Sequence, residues 1–496
     1  MAAEAGPGTL GSTPVARPLP DPFIEPPADD GPTLAAAVGW VLALVGFAVG
    51  ARPIGDNSFL THLATGRLML DERAVPTVDP YSYGAAGESW TVQSWLVSAV
   101  YATLEAGPGL WSVRVLNGAL GCAVIVGLWR LSEPARGLMV RVGLVGLVLV
   151  IGTFLWPPRP LLVALVALTL VLMVADGRLA PQWLVPIFWV WVNSHGSFVL
   201  GGGLVAMIAV GAAIDERGIP FREFPLVLWA GVGALSGMVG PLGPRLLWFP
   251  LHLMGRNEAL EQVAEWGSPS FRSPVEQLYL VILVLLVVAA SRRAPWRALL
   301  PSVVFFVAGL MAVRNLGVAS IVIVALLAPN LDLWPRAMDG SVRGFMPRAV
   351  SVAALTALCA SVAVTAVQPA VSLDTYPVDE VTWLEERDLV ATDGVHLAQR
   401  DFVGNYLHYR YGADARVFMD DRFDFHPIDT VKDHVRLLGA GDKAAIVERQ
   451  AFDVILWEAS SSLQRWLVAS DDWRIVRSDN DWIIACRLSS AANTRC

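Results

Sequence analysis

Hydrophobic and polar positions segregate along this chain into long apolar runs joined by short charged connections. A helix needs about 20 apolar residues to cross a bilayer. On that basis the runs near 34–51, 110–130, 138–156, 160–175, 180–194, 197–214, 224–241, 275–291, 297–313, 315–330 and 347–369 predict about eleven membrane-spanning helices. The stretch 92–106 (VQSWLVSAVYATLEA) is short and amphipathic and carries Gln93 and Glu105, which suits a helix lying in the interface rather than a span.

The arginines set the sidedness. With 92–106 interfacial and the N-terminus inside, the cytoplasmic loops hold Arg130, Arg136, Arg141, Arg178, Arg217, Arg222, Arg292, Arg293, Arg297, Arg336, Arg343 and Arg348. The opposite short loops hold only Arg159, Arg245, Arg256, Arg272 and Arg314. An excess of basic residues inside is the sense the positive-inside rule requires. The expected organisation is then a disordered cytoplasmic leader (1–33), a transmembrane body (34–369) with long outer loops at 52–109 and 242–274, and an extracytoplasmic tail (370–496). In the tail, short β-like runs at Val417–Met419, Val454–Trp457, Trp473–Val476 and Trp482–Cys486 alternate with amphipathic stretches, which predicts a small α/β domain.

Composition agrees. Of 496 residues 55% are hydrophobic and 16% charged, well under the roughly 25% charged of soluble domains. A net charge of -8 with no basic stripe excludes a nucleic-acid partner. The leader is rich in Pro, Gly, Asp and Glu, and no small-residue cleavage site follows the first apolar run, so that run stays as a helix rather than a cleaved signal. Cys122 and Cys359 lie in apolar runs and read as core residues. Cys486 and Cys496 lie in the tail, where an oxidising compartment would permit a bridge, but two cysteines without a longer pattern make it the minority reading. No CxxC or HExxH argues for a structural zinc site, and no internal repeat argues for an inverted-repeat transporter.

The first outer loop carries the densest candidate chemistry: GDNSFLTHLATGRLMLDERAVPTVDPYSYGAAGESWTVQSWL. Asp56 falls a few residues past the first span, and His62 and Arg67 follow on an expected amphipathic helix at 58–72. From spacing alone Asp56 is first of all a cap for that helix. Elsewhere on the outer side stand Arg159, His195 in Asn193–Gly196, Glu265–Trp266 and Arg314. Taken singly, each arginine is an interfacial residue reaching for headgroups, and the histidine is a satisfied polar group at a helix end.

The block Asp56–Tyr83, with D-x5-H-L-x-T-G followed by V-P-x-x-D-P-Y-S-Y, resembles the first outer loop of bacterial multi-span proteins of the GT-C glycosyltransferase superfamily. P-R-P at 158–160, N-x-H-G at 193–196, G-P-x-G-P-R at 240–245, E-W-x-S-P at 265–269, G-N-Y-L at 404–407 and V-F-M-D-D-R at 417–422 fit the same relatives in the same order. The resemblance implies a GT-C-like helical body in a bacterial plasma membrane, with an acidic residue of the first outer loop above a cavity for a polyprenyl-phosphate-linked sugar. Asp56 would be the catalytic base. His62, Arg67, Asp79, Arg159, His195, Glu265, Trp266 and Arg314 would contact substrate. The sugar would pass to an envelope glycan, lipid or protein acceptor. Many relatives carry a second acidic residue where this chain has Ser58, so a divalent cation (magnesium or manganese) would need Asp79 or Glu88 to stand in. The competing function is a lipid-linked-glycan transporter or a non-catalytic envelope-assembly subunit. Ion-coupled carriers place ionisable residues mid-span, whereas here the apolar runs are nearly clean and charges gather at the outer ends.

Overall fold

The computed structural model describes residues 31–331, 340–439 and 441–496. Most of the expected leader, and Arg336 among the cytoplasmic arginines, therefore lie outside the described residues. The first half of the body runs α1 (Leu34–Gly50), α2 (Asn57–Glu72), α3 (Trp95–Ala106), α4 (Leu110–Leu131), α5 (Leu138–Gly152), α6 (Pro160–Ala175), α7 (Leu184–Ser194), α8 (Phe198–Glu216), α9 (Phe224–Ser236) and α10 (Arg245–Met254). It continues through α11 (Asn257–Leu260), α12 (Pro274–Ser291), α13 (Trp296–Met311), α14 (Asn315–Leu327) and α15 (Phe345–Val367). Every apolar run read as a span is helical. Among the described residues five helices, Leu110–Leu131, Leu138–Leu155, Phe198–Glu216, Pro274–Ser291 and Phe345–Val367, are long and apolar enough to cross a membrane.

Lipid is as apolar as leucine, so helices in it are held together by close backbone approach rather than by apolar burial alone. The α1–α4 crossing uses this: a Cβ at Gly121 would lie 2.6 Å from the Gly46 carbonyl oxygen. At the end of that crossing Arg114 is buried and donates to the carbonyls of Ala51 (3.0 Å) and Pro369 (2.9 Å), closing the exposed ends of α1 and α15. Cys359 corrects the core expectation. It is exposed on α15, because a lipid-facing helix surface is as apolar as a packed one.

The tail folds as α16 (Val378–Glu385), β1 (Leu397–Ala398), α17 (Asp401–Tyr411), α18 (Ile428–Leu438), α19 (Lys443–Gln450), β2 (Val454–Glu458), α20 (Ser462–Val468), β3 (Trp473–Ser478) and β4 (Trp482–Arg487). The strands form one mixed sheet in the order β1-β2-β4-β3, with β1 parallel to β2 and the rest antiparallel. Three of the four β-like runs are strands. Val417–Met419 is not part of the sheet: Val417 donates to Tyr81 O (2.8 Å) and accepts from Tyr83 N (3.3 Å), so it pairs with the first outer loop instead. Cys486 and Cys496 form a disulfide, the minority reading of the sequence, because the turn after β4 carries the C-terminus back beside that strand.

Candidate active site

The chain on either side of Asp56 is fixed before its side chain is considered. Ile54 donates to Ala370 O and accepts from Ser372 N, both at 2.9 Å, so the start of the tail pairs with the loop just ahead of Asp56. Behind it α2 packs on α3 so tightly that a Cβ at Gly66 would sit 2.0 Å from the Ser98 carbonyl oxygen. Asp56 does occupy the N-cap position of α2, but its carboxylate makes no capping hydrogen bond. The capping expectation is overturned by a cation 103 residues away: Arg159 Nε donates to Asp56 Oδ2 at 2.7 Å.

Arg159 is aimed there by its neighbours. It stands between two prolines, which hold it extended, and Pro160 starts α6 at the first helical position. Its other terminus bonds Glu265 Oε1 and Oε2 at 3.0 and 3.2 Å, making an Asp56–Arg159–Glu265 bridge between the two long outer loops. Burial works against the Arg159 charge, but the two carboxylates outweigh it and hold the guanidinium more firmly protonated than usual. Glu265 is seated through its backbone, accepting from Arg314 N at 3.1 Å, and the Arg314 guanidinium lies 4.5 Å over the Trp266 ring.

Two histidines complete this cluster, and both are neutral at ordinary pH. Burial pushes His62 down to about 4 against the pull of Asp56, and its Nδ1 meets Ser98 Oγ at 3.1 Å. Burial, with Arg314 adding to it, pushes His195 down to about 3. Its Nδ1 accepts from Ser197 N at 3.1 Å. The preceding Asn193 binds Trp95 Nε1 (2.9 Å), which holds α7 against α3.

Of the residues singled out in the sequence, Asp56, His62, Arg159, His195, Glu265, Trp266 and Arg314 meet at one end of the helical body. Two do not. Arg67 is paired with Glu105 (2.7 Å) and with the Tyr409 carbonyl (2.7 Å), joining α2, α3 and α17. Asp79 is buried and bound by Arg422 (2.7 Å) and its own turn amides at Tyr81 and Ser82. Arg422 also chelates Asp420, which His408 and His426 contact at 3.1 and 3.0 Å. Burial pushes the Asp420 carboxyl up, but Arg422 and the histidines outweigh it and hold it well below the usual carboxylate range. This buried cluster fastens the tail to the first outer loop.

Two residues of the site were not among the expected substrate contacts. Ser58 Oγ donates to Asp421 Oδ2, placing a tail carboxyl beside Asp56. In the sequence Ser58 stood only where relatives carry a second acidic residue, and Asp421 only within V-F-M-D-D-R at 417–422, in which Asp420 and Arg422 form a salt-bridged turn. Neither carboxylate expected to stand in for a second acidic cation ligand is free at the site. Asp56 Oδ2 is taken by Arg159, Asp79 by Arg422 and the Glu88 side chain is exposed. Among the described residues no three His, Cys, Asp or Glu side chains are grouped to hold one.

Asp56 Oδ1, by contrast, is buried without a hydrogen-bond partner among the described residues. Asp56 lines a cavity of about 370 Å³ with Arg52, Trp156, Pro157 and Pro158. A second cavity of about 470 Å³ lies between the first loop, α10 and the tail, walled by Trp90, Trp248, Phe249 and Phe425 with Arg245 and Asp424.

No family model and no curated protein matches the chain. Its fold is similar to that of the oligosaccharyltransferase of Archaeoglobus fulgidus in the apo form, with a TM-score of 0.50 and 11% identity over 85% of this chain and 69% of that one. A second structure of that enzyme, tethered by a disulfide to an acceptor peptide containing the NVT sequon, gives 0.49 and 11% over 85% and 68%. The likeness is one of fold alone: a helical body with a tail domain.

Proposed function

We propose that this chain is a membrane glycosyltransferase that moves a sugar from a polyprenyl-phosphate donor to a cell-envelope acceptor on the extracytoplasmic face, with Asp56 as general base. The observation that carries the reading is the split use of one carboxylate. Oδ2 is anchored by Arg159, while Oδ1 is buried, unpartnered and beside a cavity at the end of the helical body. A buried acceptor left open is costly, and an incoming hydroxyl would satisfy it.

In this reaction the acceptor hydroxyl gives its proton to Asp56 Oδ1 as its oxygen attacks the anomeric carbon. The bond from that carbon to the donor phosphate breaks on the opposite face, so configuration inverts. The phosphate leaves unprotonated and needs only nearby positive charge. Arg52 at the same cavity and the forks of Arg159 and Arg314 supply it. His62 and His195 remain neutral and act as hydrogen-bonding walls. The body sits in a bacterial plasma membrane with its N-terminus inside, and the acceptor is a glycan, lipid or protein of the envelope. The fold shared with an oligosaccharyltransferase supports this reading.

The test is transfer in liposomes with a panel of polyprenyl-phosphate sugars, comparing wild type with Asp56→Asn. Loss of a general base lowers turnover by about 10²- to 10⁴-fold. A donor that turns over equally well in the variant eliminates Asp56 as the base. Cysteine labelling at position 88 and in the tail from outside, and at 293 from inside, checks the sidedness.

A further inference from the structure

Residues of α2 one turn apart grip the tail directly beneath Asp56. Ser58 Oγ donates to Asp421 Oδ2. Thr61 Oγ1 donates at 2.8 Å to Asn405 Oδ1, a fully buried side chain on α17, and that same oxygen accepts from the Asp421 backbone N–H at 3.2 Å. On the preceding residue Asp420 is locked by Arg422, His408 and His426. The Asp421 carboxyl is therefore held from both sides of the chain, yet it makes no ion pair among the described residues. A half-buried carboxyl without a cationic partner carries a desolvation cost, and nothing in the transfer step described above uses it.

We propose that Asp421 is a second functional carboxyl of the reaction centre, supplied by the tail domain, and that it works as a positioning residue through Asp56. When ionised it draws on the charge of Arg159 and adds a like charge beside Asp56, which favours proton uptake there. When protonated it leaves Arg159 wholly engaged with Asp56 and the base is quiet. The inference rests on the glycosyl-transfer reading for its catalytic half, while the seat of Asp421 on Ser58, two residues from Asp56, stands on geometry. The charged and titratable groups that face Asp421 are Asp420 on its own segment, Arg159 ahead of α6, Asp56 ahead of α2 and Tyr376 ahead of α16. Burial, reinforced by Asp420 and Asp56 and opposed by Ser58 and Arg159, pushes the Asp421 carboxyl up to about 7, so the change of state falls in the neutral range. A consequence is that the reaction centre is complete only with the tail seated on α2.

The experiment uses the full chain in liposomes and two readouts. In the transfer assay, with the donor that turns over in the polyprenyl-phosphate-sugar panel, kcat should rise through an acid limb near pH 7. Asp421→Asn should flatten that limb and lower kcat by about tenfold, the worth of one pK unit of like-charge coupling, with KM little changed. Asp421→Glu should restore the limb. Ser58→Ala removes a bond that favours the ionised form and should move the limb to higher pH. In the second readout, infrared difference spectra against pH should show a protonated-carboxyl band that is absent in Asp421→Asn. Its midpoint should fall by about half a unit or more in Asp56→Asn. An acid limb that survives in Asp421→Asn, or a midpoint indifferent to Asp56→Asn, overturns the proposal. A coupled midpoint with no transfer from any donor overturns the glycosyl-transfer reading instead and supports the carboxyl pair.

Discussion

Arg422→Met tests whether the buried cluster, rather than the sheet, decides where the tail sits. In the native chain Arg422 is 8% exposed, and both carboxylates it serves, Asp420 and Asp79, are almost fully enclosed (0% and 4%). Its guanidinium lies 4.6 Å over Trp90 and 5.0 Å over Phe425, so the methionine can fill the apolar part of the space but not the charge. Breaking a buried pair leaves uncompensated charge and costs about 3–5 kcal/mol, against about 0–1 kcal/mol for an exposed pair such as Arg130–Glu133. The loss should be regional. Hydrogen exchange in β2, β4 and the 77–92 segment should accelerate by roughly 10²- to 10⁴-fold, while α1 and α4 stay unchanged and serve as the internal reference. A single melting temperature would not serve, because a membrane body with a separate tail is not a two-state system. The effect carries a pH signature. The native Asp420 carboxyl is depressed, so its contribution is present above the ordinary carboxylate range and is lost as pH falls through the lowered value. The gap between variant and wild type should therefore narrow on acidification. An exchange change worth under about 1 kcal/mol, or one spread evenly over the body, would refute the assignment.

Three further outcomes follow from the same geometry. Gly66→Ala forces a Cβ into the Ser98 carbonyl and should part α2 from α3 at a cost of about 1–3 kcal/mol, read as faster exchange in both helices and weaker transfer. Cys496→Ser opens a loop of sequence separation 10 and should weaken protection of β4 by about 2–3 kcal/mol, with reducing agent giving the same result on wild type. His62→Gln should leave the acid limb of the transfer profile where it is, because burial already keeps His62 neutral down to about pH 4. By the same sign, protonation of the unfolded chain below the ordinary histidine range draws stability from this site as pH falls toward about 4, and exchange in α2 reports it.

The helices were legible because an apolar run long enough for a bilayer becomes a helix whatever it packs on: backbone groups in lipid have no other partner. All the predicted runs became helices on that ground, and so did the amphipathic stretches that gave α2 and α3. Pairings were not legible, since nothing local specifies them. Asp56 sits at an N-cap and reads as a cap until an arginine 103 residues on claims its oxygen. Asp79, in the same motif, faces the other way and is claimed by an arginine 343 residues on. One loop therefore carries two carboxylates of opposite use, the first with an oxygen left unpartnered beside a cavity and the second spent on holding the tail. The D-D-R triplet repeats the division within three residues: Asp420 is consumed by Arg422, while Asp421, one residue further on, points toward Ser58. A motif scan weighs these four acidic groups alike. The distinction between fastening and function at this site comes down to which of them still has an oxygen that no arginine, hydroxyl or turn amide holds, as Asp56 Oδ1 does among the described residues, and that depends on how the tail is placed against α2.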